Sequence, residues 1–492
     1  MVFHRMRMNW IVGCFFGVIF AILLTIRVGF LEREEGESQG GPSVVAFPQT
    51  ERETWMNISQ KGQKIGYAHR QFSTTTEGHR IRETVFMQVN TLGMVQNIHF
   101  KTEGNLHPDL TFSSFRFELR SGLFAFKARG SQNGKMLTVF TEESGTERRF
   151  DLSIQGDTLL PVGLFEVVQG ERLKSGERKM FNVFDPATQA VRPVKVVAMG
   201  EETISIQGRD EKARKLSIDF MGGPQVAWVG TDGTVLKEEG SLGIRLERVS
   251  KEEALAKIAL SPGADLIDLA SIPANKVLFD VHLLKELKLQ LKGLEGEALS
   301  MEGGRQQLEG DILRIRRESF RETGSRPPGQ KRTPEVRKAL NSTPFIQADH
   351  PEIVAKVKEI VSPGDPAAVK AMKLITWVHG NIQKKPALSV PNALETLQQK
   401  TGDCNEHAVL LAALARAAGV PADVEAGLVY QNSRFYYHAW NALYLGQWIT
   451  ADAAIGQFPA DVTHIRFVRG TENQIDLMSL IGRLNIEILE AR

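Results

Sequence analysis

Cys404 stands in the run Gly402-Asp403-Cys404-Asn405-Glu406-His407-Ala408, directly ahead of a stretch rich in Ala and Leu that closes at Gly419-Val420-Pro421. Apolar residues lie nearly all round Ala408 to Ala418, so this stretch reads as a buried helix. Asp403 is placed to cap it, and Glu406, three residues on, completes a capping-box-like pair. A thiol in the first turn meets unpaired backbone N–H groups and the positive end of the helix dipole. Both favour the thiolate, as a neighbouring imidazolium would. Such a thiolate is a nucleophile toward an amide carbonyl, and the local N–H groups, that of Cys404 included, can receive the oxyanion that attack creates. The charge of Asp403 opposes thiolate formation if it points at the sulfur; as a cap it points at the backbone.

An imidazole and a carboxylate follow in order. Asp423 to Tyr430 reads as one strand and Phe435 to Tyr444 as a second, which carries His438 and leads through Leu445-Gly446-Gln447 into Trp448-Ile449-Thr450-Ala451-Asp452. If the turn is the three-residue Leu445 to Gln447, Tyr444 pairs with Trp448 and Trp440 with Asp452. His438 then lies diagonally from Asp452 on one face, within reach through side chains. A two-residue Gly446-Gln447 turn would put the two on opposite faces, so a joint site needs the odd connection or a bulge.

Other readings of these residues are blander. Cys404 and His407 are spaced i, i+3 and offer half of a zinc site, but the other ligands would have to come from His438 and Asp452, and no further cysteine is at hand. His407 reads better as a supporting residue, Trp440 and Trp448 as core or wall residues, and His464 as a strand or turn residue that could line the site. Gln398 and Trp377 are weak candidates for a second oxyanion donor. No cofactor and no metal is expected.

The run Gly402-Asp403-Cys404-x-Glu406-His407-Ala408, the following Gly419-Val420-Pro421-Ala422, the strand Tyr437-His438-Ala439-Trp440, and Trp448 leading to Asp452 together resemble the bacterial transglutaminase-like domain. The resemblance spans about Asp349 to Phe467. It implies a papain-like α+β fold with Cys404 as nucleophile, His438 as base and acid, and Asp452 orienting the imidazole, a variant of the general triad. Members of that family usually carry Asp-Pro-Thr at the third site, whereas this chain has Asp452-Ala453-Ala454.

The elements that must position these groups form the end of a long chain. With 492 residues it exceeds a single ordinary core. Residues 31–50 read as a tether. Residues 51–250 alternate with period two and carry Gly and Asn turns, as in Phe115-Arg116-Phe117-Glu118-Leu119, and read as antiparallel strands, in one large curved sheet or two smaller units. Exposed aromatics there are more simply one side of a packed sheet than a lipid-binding face. Residues 251–321 form a smaller strand-rich segment, and 322–334, rich in Gly, Pro and cations, a flexible connector. From 335 to 492 the chain reads as the catalytic domain. Its helices follow Pro351, Asp365-Pro366 and Pro391, the second with Asp365 as cap. The fold class expected is α+β, with an N-terminal transmembrane helix, an antiparallel β-rich region and a C-terminal papain-like domain.

That transmembrane helix is read from Met8 to Ile26, a run without charge that is long enough to cross a bilayer. His4, Arg5 and Arg7 precede it, so residues 1–30 read as a cytoplasmic stub and signal anchor. A cleaved signal peptide competes, but Thr25-Ile26-Arg27-Val28 lacks a small-x-small site. The chain would then be a single-pass inner-membrane protein with its bulk in the periplasm or outside. Cys14 would lie in the membrane, unable to pair with Cys404. Lys and Arg total 60 against 58 Asp and Glu, which leaves no basic field for nucleic acid. The expected partners are therefore a protein or peptide substrate and, through the N-terminal helix, a membrane. The expected function is an exported, membrane-anchored thiol enzyme that acts on amide bonds through a thioester, by transglutaminase-like acyl transfer or by peptide or isopeptide hydrolysis. The alternative is a noncatalytic binding or assembly module in which the β-rich region does the work.

Overall fold

The computed structural model describes residues 51–492 apart from short internal stretches, the longest at 259–269, 320–332, 386–391 and 471–476. The described residues fall into two compact units, one ending at Leu269 and one beginning at Ala270.

The first unit is built on one antiparallel sheet of 14 strands in which the first strand, Arg52–Gln60, pairs with the last, Ile244–Val249. Every other pair joins chain neighbours, so hairpins build the sheet, with edges at Thr146–Ser153 and Arg178–Asp185. Its turns use the expected residues: between Gln60 and Gln63, Lys61 and Gly62 both take positive φ, as a two-residue hairpin requires. The sheet curls onto itself. Phe184 on one edge strand packs on Phe112 and Phe115, with ring centroids 6.1 and 5.2 Å away. One large sheet, not two units, is what the period-two pattern encodes.

In the second unit, the helix Cys404–Ala417 packs on the strand Arg434–Tyr444 and is flanked by the helices Pro351–Ile360, Ala367–Asn381 and Ala393–Gln399. Every residue from Cys404 to Arg416 is buried, which accounts for the all-round apolar pattern. The sheet beside it runs Ile272–Pro273, Arg434–Tyr444, Ala422–Gln431, Ile465–Arg469, with Trp448–Ala451 on the far part of Arg434–Tyr444. A further strand in the small strand-rich segment, Glu286–Lys292, pairs with Asn485–Ala491 near the end of the chain. The helix after Asp365 starts at Ala367 with Pro366 in the cap position; Asp365 instead accepts from Ser362 N and Lys373 Nζ.

Gly427 fixes how closely these strands approach. It pairs with His438 on one side, and on the other the carbonyl oxygen of Ile465 lies 1.9 Å from where a Cβ would stand. Gly427→Ala should therefore push the Ile465–Arg469 strand outward at a cost of about 1–3 kcal/mol, read as a lower melting temperature.

Two expectations need correction. Strands make up 52% of the described residues and helices 20%, so the protein is mostly β and not α+β. The helical pattern after Asp349 is conspicuous but short, and the 14-stranded sheet outweighs it. The transmembrane helix expected at Met8–Ile26 lies outside the described residues. Among the described residues no helix is long and apolar enough to cross a membrane; the Ala367–Asn381 helix has 15 residues, against the ~20 that a span requires. Membrane anchorage and the inner-membrane placement are accordingly withdrawn.

Candidate active site

Asp403 caps the Cys404 helix as its residue type suggests. Its carboxylate accepts from Asn405 N at 2.8 Å, and Glu406 reaches back to accept from Asp403 N at 2.8 Å, a full capping box. Burial, the nearby Glu406 carboxylate and Cys404 all push the Asp403 carboxyl well above its ordinary range. That favours the neutral acid and so relieves the conflict between an aspartate and an adjacent thiolate. Cys404 itself is 1% exposed, and Asn405 Nδ2 points at its sulfur from 3.7 Å.

The register of the next hairpin brings the imidazole and carboxylate together. Tyr444 pairs with Trp448, and the pairing runs on to Asn441 with Ala451. The connection is thus the three-residue Leu445 to Gln447, with Gly446 at positive φ. His438 Nε2 lies 2.5 Å from Asp452 Oδ2. Burial by itself would lower the pKa of His438. The charge and hydrogen bond of Asp452, followed by the hydrogen bond and charge of Cys404, outweigh burial and push it up to about 10. For Asp452 burial acts upward, but His438 and then His464 hold the carboxyl far below its ordinary value. Asn441, three residues along the strand, donates to Ala408 O at 2.9 Å and so pins the strand to the helix that carries the sulfur.

Asp452 sits just past its strand in a tight turn despite the Ala453-Ala454 sequence. It exchanges two backbone hydrogen bonds with Gln457, each 2.9 Å, and its Oδ1 accepts from Ile455 N at 3.2 Å. His379 lies within 3.0 Å of Ala453 O through Nδ1. The following loop returns His464 to the same carboxylate, with Nε2 3.0 Å from Asp452 Oδ2 and Nδ1 3.3 Å from Asp461 Oδ1. Trp440 packs beside both histidines, its ring 5.9 Å from His438 and 5.1 Å from His464, and its indole N–H donates to Glu425 at 2.9 Å.

The remaining sequence candidates divide. His407 is buried with Nδ1 against Asp403 O, and burial lowers its pKa; it supports the helix start. Trp448 packs on Tyr444 at the hairpin end, under Arg469. Gln398 is exposed and gives its amide to Glu352, and Trp377 lies under Lys356, so neither joins the site. Sequence reasoning misses Glu425 and Asp461. A signal for Glu425 is present, since it is a carboxylate inside the otherwise buried strand Ala422–Gln431.

No curated protein matches the chain. Among solved structures, a β-barrel-like protein of a domain of unknown function from Brucella abortus is 12% identical, covering 41% of this chain and 97% of its own, with a TM-score of 0.34. A candidate cysteine protease from Cytophaga hutchinsonii is 14% identical over 42% of this chain and 87% of its own, TM-score 0.27. A candidate protease from Parabacteroides distasonis is 12% identical over 67% and 64%, TM-score 0.20. Scores this low carry no argument about chemistry. The model of the transglutaminase-like superfamily matches residues 354–453, a stretch that holds Cys404, His438 and Asp452, and this part of the chain is a transglutaminase-like domain.

Proposed function

We propose that the protein is a thiol enzyme that acts on amide bonds of a protein or peptide through a thioester, with Cys404 as nucleophile, His438 as base and acid, and Asp452 orienting the imidazole. The observation that carries this reading is the His438 ring, held by Asp452 through Nε2 and bordered by the Cys404 thiol. A pKa pushed up to about 10 favours the imidazolium at neutral pH, and an imidazolium beside a thiol at a helix start favours the thiolate. The thiolate attacks the amide carbonyl, and the oxyanion forms beside the first-turn N–H groups. Collapse breaks the C–N bond, and His438 gives its proton to the leaving amine. His438 then takes a proton from water or from an acceptor amine, which attacks the thioester and releases Cys404. Hydrolysis and acyl transfer share every step but the identity of that acceptor.

A thiol-directed probe tests the activated thiol. Cys404 should label much faster than the thiol of the denatured chain, and His438→Ala should slow it by about 100-fold or more, the scale on which a positioned base acts. Equal rates in the native protein, the variant and the denatured chain would sink the reading. Amine incorporation measured against peptide release then separates transferase from hydrolase.

The pH dependence has a definite sign. His438 has a folded pKa above its ordinary 6.5, so the stability it contributes is complete below that value and is lost as pH rises through about 10. Asp452 is depressed, so its contribution is present above the ordinary carboxylate range and fades only in strong acid. Turnover should hold across neutral pH and fall on an alkaline limb near 10, where His438 gives up its proton. A pH–rate profile with an alkaline limb near the ordinary histidine value would contradict this.

A further inference from the structure

We infer that His464 is a positioning residue of the same site: a buried imidazolium that bridges Asp452 and Asp461, holds the Asp452 carboxylate toward His438, and tempers its pull on the His438 proton. This rests on the thiol-enzyme reading and extends it by two residues, both outside the segment that the family model matches.

The geometry supplies the protonation state. His464 Nε2 faces Asp452 Oδ2 at 3.0 Å and Nδ1 faces Asp461 Oδ1 at 3.3 Å. Ionised carboxylates only accept hydrogen bonds, so both ring nitrogens carry hydrogen and the ring is a cation. Its side chain is 0% exposed, and a charge buried so deeply persists only when paired. Asp461 is equipped to be the second partner, because it accepts from Thr463 N at 2.8 Å, Thr463 Oγ1 at 2.6 Å and Gln457 Nε2 at 2.9 Å. Those bonds, with His464, hold it ionised against its burial. Burial would lower the His464 pKa, and the two carboxylates more than reverse that.

The loop is clamped from outside. Arg305 donates to Ala460 O at 2.7 Å, Asp461 O at 3.0 Å and His464 O at 2.8 Å, and Glu318 stands 3.9 Å from Arg305. The charged and titratable groups around His464 are therefore Asp461 and Arg305 on the loop side, and Asp452 and His438 on the strand side, with Cys404 beyond His438. Glu425 is one residue further off, behind Trp440. Along this line the charges alternate: Asp461, His464, Asp452, His438, Cys404.

One oxygen, Asp452 Oδ2, is the acceptor for both histidines. A cation on its far side draws electron density from it and acts directly on the His438 ring, 5.8 Å away between centroids. Both effects make the His438 proton easier to release to a leaving amine. Without His464 the carboxylate would grip that proton harder, and Asp452 would lose one of the bonds that aim it.

Two variants of the full chain separate aiming from charge. His464→Gln keeps an N–H for Asp452 and removes the cation; His464→Leu removes both. Labelling of Cys404 by iodoacetamide at neutral pH should fall by about 10-fold in His464→Leu, the scale of one buried charge-assisted hydrogen bond, and His464→Gln should recover most of it. The His438 titration midpoint, followed by histidine-selective nitrogen NMR, should rise in His464→Gln by roughly 0.5–2 pH units, as removal of a charge at that separation implies. A role confined to packing would lower the melting temperature and leave that midpoint in place. If His464→Leu does not fold, the His464→Gln midpoint alone decides. Labelling at the native rate in both variants with an unmoved midpoint overturns the inference and leaves the thiol-enzyme reading intact. Slow labelling of the native protein itself overturns both.

Discussion

Asp452→Asn should reduce amide turnover by about 10³–10⁴-fold, the loss that follows when the orienting carboxylate of a triad is neutralised, with little change in KM. The carboxylate accepts from His438 Nε2 at 2.5 Å and from His464 Nε2 at 3.0 Å. An asparagine amide keeps the shape but presents one acceptor oxygen and one NH2. To satisfy Nε2 with its NH2 it would leave the His438 proton on Nδ1, the nitrogen on the thiol side, so a neutral ring could no longer take the thiol's proton. The thiolate–imidazolium pair loses its main support at the same time, because Asp452 is the largest influence raising His438. Kinetics of the variant against a peptide amide, with circular dichroism to verify folding, measure the effect. A loss below about 10-fold would mean that Asp452 does not orient the base.

The second large effect is on stability. Glu425 is 2% exposed and sits opposite Trp440 in the sheet. It accepts from Trp440 Nε1 at 2.9 Å, Arg466 Nη1 at 3.2 Å and Arg469 Nη2 at 2.7 Å. Burial would raise its pKa; the two guanidiniums outweigh that and keep it low. Glu425→Leu leaves two largely buried cations facing a hydrocarbon, a loss of about 3–5 kcal/mol for breaking such a cluster from one side. Arg466 keeps its bonds to the carbonyls of Ser300, Glu302 and Gly303, so Arg469 and Trp440 bear most of the disruption. The melting temperature of the unit should drop by roughly 10 °C. Turnover should fall with it, because Trp440 packs against both His438 and His464. Unchanged melting would show that the cluster is solvated in a way its burial does not suggest.

The parts of the site that are legible in the sequence are those set by short-range rules. Asp403, Cys404 and Glu406 lie within one helical turn, where cap chemistry specifies the parts Asp403 and Glu406 play and places Cys404 at the helix start. His438 and Asp452 lie on one hairpin, where the parity of a three-residue turn fixes the shared face. His464 reaches Asp452 across an irregular loop with no period to read, held in part by a clamp from Arg305, more than 150 positions away in the chain. Gln398 draws attention for its type and nearness to Cys404, yet its helix turns it outward to Glu352. The balance of fold classes escapes a sequence reading for a related reason. Hairpins announce themselves one at a time, whereas the closing pair between Arg52–Gln60 and Ile244–Val249 is a long-range contact that makes a single sheet of all fourteen.

The central claim, that Cys404 exists as a thiolate because His438 beside it is an imidazolium held by Asp452, is tested most directly by thiolate absorbance in the ultraviolet as a function of pH. Cys404→Ser serves as the baseline that cancels Cys14 and the tyrosines. The thiolate signal of Cys404 should already be present at about pH 6, well below the ~8.5 at which an ordinary thiol ionises, and should move up to that ordinary range in His438→Ala. A signal that appears only near the ordinary thiol value in the native protein, and is unmoved by His438→Ala, would contradict it.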